Sequence, residues 1–184
     1  MKAISIIASP RKNGNCSKIV ETMTKTIKEN GGQNTVYYVD DLNIKGCQGC
    51  GGCRNPEKPS KCVIKDDFRM IMDQFDNDAD AIIFAAPNYF GEINAQGHIF
   101  MDRFYSMTKS TPNMLTGNKK AAVIFTYGAT SGYYDEYINK RAKLFESIGF
   151  KLEAVLSAGE GKPNSGNADD VLKQAQEIAL KLMQ

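Results

Sequence analysis

The sequence predicts an α/β domain, a three-layer, doubly wound, five-stranded parallel sheet of strand order 2-1-3-4-5. Three observations predict it. Short apolar runs alternate with helical periodicity from end to end, as in a parallel sheet covered on both faces. The first apolar run breaks into a polar loop that opens a helix. A chain of 184 residues that is 42% hydrophobic suits one well-buried domain, residues 1–184, and is short for two.

The elements follow in order. Lys2 to Ala8 is the first strand, and Ile19, Val20, Met23 and Ile27 form one face of the helix after it. Thr35 to Val39 is the second strand. A Gly-, Cys- and Pro-rich stretch from about Asp40 to Lys65 is an insertion before the second helix, which is marked by Phe68, Ile71, Met72 and Phe75. Asp66 and Asp67 stand where carboxylates cap a helix N-terminus. Ala81 to Ala86 is the third strand and roughly Ala95 to Tyr105 the third helix. Ala121 to Tyr127 is the fourth strand, and Tyr134, Ile138, Phe145 and Ile148 mark the fourth helix. Lys151 to Ala158 closes the sheet, and Val171, Leu172, Ala175, Ile178, Ala179 and Leu182 line the last helix.

Charge and cysteine usage narrow the function. The net charge is +2, from 23 Lys and Arg against 21 Asp and Glu, and the basic residues are dispersed, which argues against nucleic acid as a partner. No apolar stretch has the length of a membrane span, and Met1-Lys2 runs directly into the first strand, so a cytoplasmic protein is expected. Four of the five cysteines crowd between Cys47 and Cys62, a pattern of thiols or metal ligands, not of a secreted disulfide scaffold.

In a doubly wound sheet the ligand sits beyond the carboxyl ends of the strands, where the strand order reverses. That rule selects three loops. Ser9 to Ser17 follows the first strand, and the unpartnered N–H groups and dipole of a helix start make a phosphate socket there. Arg11 adds a bidentate grip, and Ser9, Asn15 and Ser17 add polar contacts; the plainer reading is a loop whose Asn and Ser only cap the helix. Neither G-x-x-x-x-G-K-[ST] nor G-x-G-x-x-G is present, and Gly159 to Asn164 lacks the third glycine and carries Pro163. In the second loop, Pro87 to Asn94, Tyr89 and Phe90 offer flat faces to a planar ring, or else plug the core. The third, Thr126 to Tyr133, is again glycine-bearing and aromatic; its Tyr127 and Tyr133, with Tyr134, either gate a second substrate or pack the rim. A phosphate socket with two ring-lining loops describes a flavin mononucleotide (FMN) site. A phospho-receiver needs acids where Arg11 and Asn88 stand.

Three motifs carry a family resemblance: S-P-R-K-x-G-N-x-S at Ser9 to Ser17, C-x-x-C-x-x-C with C-V-I-K-D-D at Cys47 to Asp67, and P-x-Y-F-G at Pro87 to Gly91. With them the chain resembles the flavodoxin-like NAD(P)H-dependent FMN reductases and their cysteine-bearing relatives, the iron-sulfur flavoproteins. Cys16 stands where Thr is usual, and Asn88 where Val or Ile is usual. The resemblance implies that Ser9, Arg11, Asn15, Cys16 and Ser17 surround the FMN phosphate. It places Pro87, Asn88, Tyr89, Phe90 and Gly91 beside the isoalloxazine, with Thr126, Tyr127, Gly128, Ala129 and Gly132 closing its pyrimidine side. Hydride transfer from NAD(P)H stacked about 3 to 3.5 Å from the ring needs no side-chain acid or base, so no catalytic residue is named. Electrons would pass to a small acceptor, namely a quinone, flavin, nitro or azo compound or metal ion, in a homodimer or higher homo-oligomer. The alternative is an iron-sulfur flavoprotein or flavodoxin-like carrier serving redox proteins.

Cys47, Cys50 and Cys53 are spaced to converge on one cluster, with Cys62 as a fourth ligand to a 4Fe-4S centre. Eight residues separate Cys53 from Cys62, and Val63, not proline, follows. Redox-active thiols without metal are the competing reading, favoured by Arg54 to Pro59, which resembles cluster-free reductases. Zinc lacks a second knuckle or nearby histidine. The single histidine, His98, falls in a helix and reads as structural.

Overall fold

Alternation of apolar side chains along the strands sets up two cores. In β1 (Lys2–Ile7), Ile4 and Ile6 face one layer while Ala3 and Ile7 face the other, and β3 (Ala81–Tyr89) repeats the pattern with Ile82 and Phe84 against Ala81, Ile83 and Ala85. The computed structural model describes residues 1–55, 62–108, 115, 118–165 and 168–184. The Pro56 to Lys61 part of the expected insertion therefore lies outside the described residues. β2 (Gln33–Tyr38), β5 (Lys120–Thr126) and β6 (Lys151–Ala158) complete the parallel sheet, in the order β2-β1-β3-β5-β6. This is the expected doubly wound order, with the reversal between β1 and β3.

The helices bury their apolar stripes on the two faces. α1 (Asn15–Glu29) and α5 (Asp169–Met183) cover one face through Ile19, Met23, Ile27, Ala175 and Ala179. α2 (Asp67–Asp78), α3 (Ala95–Asp102) and α4 (Asp135–Ala142) cover the other, where Phe68, Phe84, Phe100, Phe104 and Phe145 interlock edge to face or tilted, with centroids 5.0 to 6.4 Å apart. Each such fully buried phenylalanine contributes about 1.5–3 kcal/mol. Among the described residues no helix is long and apolar enough to cross a membrane.

Three departures from the sequence reading have local causes. β3 does not stop at Ala86 but continues through Pro87, paired with Thr126, to Tyr89, and turns back as β4 (Glu92–Ile93). The turn places Phe90 at φ 54° and Gly91 at φ 84°, the positive values a two-residue hairpin needs; glycine signals such a turn, and phenylalanine does not. α4 ends at Ala142 and a 3-10 segment, Lys143–Ile148, takes over up to Gly149 at φ 101°, where a Cβ would sit 2.6 Å from the Leu115 carbonyl. α3 likewise gives way to a 3-10 segment, Arg103–Met107.

Candidate functional site

The loop after β1 folds around its own backbone. Ser9 Oγ accepts the Arg11 N–H at 3.2 Å, and the Arg11 carbonyl accepts the Gly14 N–H and the Ser17 hydroxyl, both at 3.1 Å. Ser9 and Ser17 are buried by these bonds, and Gly14 caps α1 in extended conformation without a side-chain bond. The N–H groups of Asn15, Cys16 and Ser17, in the first turn, have no acceptors inside the helix. The exposed guanidinium of Arg11 has no hydrogen bond or ion pair among the described residues.

Two expected phosphate residues have their side chains engaged elsewhere. Cys16 is buried with Sγ 3.3 Å from Thr126 Oγ1; burial pushes its thiol up to about 12, against smaller opposing effects of Thr126 and Arg11. It therefore stays a neutral thiol that ties β5 to α1, and only its backbone faces the socket. Asn15 Nδ2 donates to the Gly161 carbonyl at 2.8 Å, and its Oδ1 accepts the Asn164 N–H at 2.9 Å.

The second loop is joined to the first by Asn94, a residue that the sequence reading did not single out. Asn94 is buried, donates Nδ2 to the Ala8 carbonyl at 2.8 Å, and caps α3 by accepting the Gly97 N–H at 3.4 Å. Asparagine three residues before a helix-facing glycine is a capping signal, but its long-range bond to Ala8 is not legible locally. Pro87 is buried, Tyr89 is partly open, and Phe90 is fully exposed. Asn88 Oδ1 accepts the Gly91 N–H at 3.3 Å, leaving Nδ2 buried without a partner among the described residues. Below the turn, Tyr137 donates to Glu92 and accepts the Ile93 N–H at 2.9 Å. That bond, with Arg141 and His98 nearby, holds the Glu92 carboxyl below the usual carboxylate range. His98 thus faces Glu92 at 3.8 Å, in keeping with a structural role.

In the third loop the Tyr127 ring is buried and its hydroxyl bonds Ser157 Oγ at 3.1 Å while accepting the Gly132 N–H at 3.0 Å. Tyr127 is a brace, and Thr126 is buried against Cys16. Gly128 is exposed with nothing within 4 Å of a Cβ built on it, Ala129 is half-buried, and Gly132 is exposed at φ 85°. Tyr133 stands largely exposed beside them.

A fourth loop, after β6, locks the first and third. Glu160 N–H donates to Ala129 and Gly161 N–H to Tyr127, both at 2.8 Å, while Asn164 reaches Asn13 and Asn15 of the first loop. Gly159 has no room for a side chain, since a Cβ would lie 2.8 Å from Ser131 Cα and 2.9 Å from Tyr127 Cε2. The assembled rim can grip an anion at the α1 end and lay a flat ring across the β3 and β5 loops.

The cysteines gather at a second place. Cys47, Cys50, Cys53 and Cys62 all line one small cavity with Arg103, Tyr105 and Ser106. Cys53 and Cys62 are its buried floor, and Cys47 and Cys50 its exposed rim, with Gly49 and Gly51 at positive φ. Burial raises the Cys53 thiol, and the nearby Cys62 and Cys47 add to that against Arg54. Among the described residues no disulfide forms, and no three Cys, His or carboxylate side chains gather tightly enough to hold one metal ion. A cube differs from a single ion in taking each thiolate at a different corner. The enclosed volume is about 20 Å³, room for one water, so a cube would require the exposed rim to draw outward.

Comparison with known proteins agrees with this architecture. The sequence profile of the NADPH-dependent FMN reductase family matches residues 1–135. An iron-sulfur flavoprotein of Methanosarcina thermophila is 33% identical over 138 residues, 75% of this chain and 69% of that protein. One from Archaeoglobus fulgidus is 35% identical over 103 residues, 56% of this chain and 45% of that protein, so this chain spans about half of its length. In fold, the chain is similar to an NAD(P)H:quinone oxidoreductase from Methanothermobacter marburgensis, with a TM-score of 0.80, 17% identity, and 100% and 98% of the two chains covered. An FMN-dependent NADH-azoreductase from Bacillus anthracis, solved with FMN, gives a TM-score of 0.70, 14% identity, and 100% and 99% coverage. The chain belongs to the NADPH-dependent FMN reductase family, flavodoxin-like oxidoreductases whose cofactor is FMN and whose reductant is NAD(P)H.

Proposed function

We propose that this protein takes hydride from NAD(P)H onto FMN lying across the β1, β3 and β5 loops, and passes electrons to a small planar acceptor such as a quinone, free flavin, or nitro or azo compound. The observation that carries the reading is the Arg11 guanidinium, without a hydrogen bond or ion pair among the described residues, beside the bare first turn of α1, at the same rim as the exposed Tyr89, Phe90 and Tyr133. The buried Asn88 Nδ2, without a partner among the described residues, and the open Gly128 edge fit a heteroaromatic ring with acceptor atoms at its margin. Bound there, FMN supplies two-electron chemistry toward the nicotinamide and one- or two-electron chemistry toward the acceptor.

The chain's own residues bind and orient. Arg11 and the N–H groups of Asn15, Cys16 and Ser17 hold the phosphate. Tyr127, through Gly132 and Ser157, keeps the β5 loop in place, and Asn94 holds the β3 loop to β1. Phe90 and Tyr133 present flat faces that stack on an incoming ring and exclude water, and a second copy of the chain covering these rings would make the homodimer. Anaerobic mixing with NADPH or NADH, followed by a panel of acceptors, tests the reading. Rapid bleaching of the 450 nm flavin band with fast quinone turnover is expected, and bound flavin that stays oxidised overturns it.

A second reading has a specific observation in its favour. Four cysteines lining one cavity, together with the similarity to iron-sulfur flavoproteins, support a 4Fe-4S cluster that hands single electrons onward. Anaerobic purification with iron and sulfide assays tests it, and four irons per chain is the expected result.

A further inference from the structure

We propose that Cys53 and Cys62 form a reversible disulfide, a second redox site that low-molecular-weight disulfides oxidise through the exposed rim thiols Cys47 and Cys50. The inference goes beyond the FMN reading and stands against the cluster reading of the same cysteines. The lining favours it: the enclosed volume of about 20 Å³ is too small for a cube, and among the described residues no three side chains gather to hold one metal ion. A disulfide needs only two sulfurs, brought to about 2.05 Å, and no added volume.

Packing brings the two floor cysteines together. The 3-10 turn Gly52–Arg54 lies against the segment that carries Cys62, so closely that a Cβ on Gly52 would sit 2.7 Å from Val63 Cγ2 and 2.8 Å from its Cγ1. Cys53 and Cys62, the residues beside that contact, are both 8% exposed and line one cavity. Burial raises the Cys53 thiol, and negative charge on Cys62 and then on Cys47 raises it further, which puts both sulfurs within electrostatic reach of Cys53. Arg103, itself 1% exposed, donates Nη2 to Cys62 Sγ and to Asp66 Oδ1, both at 3.1 Å, and so fixes the Cys62 sulfur in the cavity wall. Arg69 Nη1 holds the Cys62 carbonyl at 2.5 Å, and Arg54 adds positive charge beside Cys53. Thiols in a partly open, electropositive pocket are the ones that exchange.

The exchange runs from rim to floor. A rim thiolate attacks one sulfur of a disulfide RSSR and expels RS⁻, leaving a mixed disulfide on the rim. The Cys62 thiolate attacks the rim sulfur and expels the second RS⁻. The Cys53 thiolate then attacks the Cys62 sulfur and returns the rim thiolate. In sum, RSSR and two protein thiols become one protein disulfide and two RSH, the two thiol protons passing to the two RS⁻. A raised thiol is a poor leaving group, so the bond at Cys53 is the one that persists.

The test equilibrates the full chain anaerobically in buffers of reduced and oxidised glutathione, then quenches with acid, alkylates the remaining thiols and maps peptides by mass spectrometry. At the oxidising end a single disulfide, Cys53 to Cys62, is expected with Cys47 and Cys50 alkylated, and it reverts to thiols at the reducing end. In the double variant Cys47→Ser, Cys50→Ser the same bond should form about tenfold more slowly at an unchanged midpoint ratio, because the rim thiols set the rate and are absent from the product. Cys53 and Cys62 that stay alkylatable throughout, glutathione that remains on the rim, a Cys47 to Cys50 bond in place of the expected one, or a double variant that oxidises as fast as wild type each overturn the proposal. Four irons per chain after anaerobic purification overturn it as well, in favour of the cluster. None of these outcomes bears on the FMN reading, which flavin bleaching by NAD(P)H tests separately.

Discussion

If Arg11 grips the FMN phosphate as proposed, removal of its side chain should separate phosphate recognition from folding. The exposed guanidinium makes no hydrogen bond or ion pair among the described residues, whereas the Arg11 backbone carries the loop, with its carbonyl accepting Gly14 N–H and Ser17 Oγ at 3.1 Å. Arg11→Ala leaves those backbone bonds in place, so the melting temperature of the apoprotein is expected to stay within about 2 °C, as for a surface substitution of about ±0.5 kcal/mol or less. A charge-assisted bond to a phosphate contributes about 1.5–3 kcal/mol, and exposure to solvent puts Arg11 at the lower end. The dissociation constant for FMN should then rise by about tenfold, since 1.4 kcal/mol is one decade. Titration of apoprotein with FMN, read by quenching of flavin fluorescence, measures it directly. Riboflavin, which lacks the phosphate, provides the control, and its affinity should not change. FMN binding that is unaffected by the substitution, or riboflavin binding that weakens in parallel, would refute the assignment of the socket.

Three other outcomes follow from the geometry. Gly159→Ala drives a methyl into Ser131 and Tyr127, 2.8 and 2.9 Å away, at about 1–3 kcal/mol; it should weaken FMN and riboflavin alike, the opposite pattern to Arg11→Ala in the same titration. Asn94→Ala leaves the buried Ala8 carbonyl unsatisfied and uncaps α3, costing about 2 kcal/mol and lowering the melting temperature by about 4–8 °C in calorimetry. Glu153 is held below its ordinary value by the Lys151 hydrogen bond, with Lys181 and Lys120 behind it. Its folded-state pKa is depressed, so its stabilisation is present above the unfolded value and is lost as pH falls through the folded one. Urea midpoints of wild type and Glu153→Gln should therefore differ at pH 7 and converge on acidification below about pH 4; a constant gap would remove the ion-pair explanation.

The fold was legible because its signals are short-range. A strand's apolar run, a helix's stripe such as Ile19, Met23 and Ile27, and the Ser-, Asn- and Gly-bearing exit from β1 are each complete within about ten residues. The β3–β4 hairpin was not legible, because its turn rests on Phe90 at positive φ, a conformation its side chain disfavours and only the surrounding structure holds in place. Gly159 to Asn164 carries no recognisable motif, yet it buttresses both neighbouring loops.

By itself the sequence determined the layer order, the switch point between β1 and β3, and which loops border it, since periodicity and helix-start chemistry act along the chain. Tertiary structure alone decided where individual side chains in those loops point. Cys16 turns inward to Thr126, Asn15 bonds a carbonyl 146 residues away, and Arg103 reaches Cys62 from 41 residues downstream. Such contacts depend on which loops the packed sheet brings together, and no local pattern of residues encodes them.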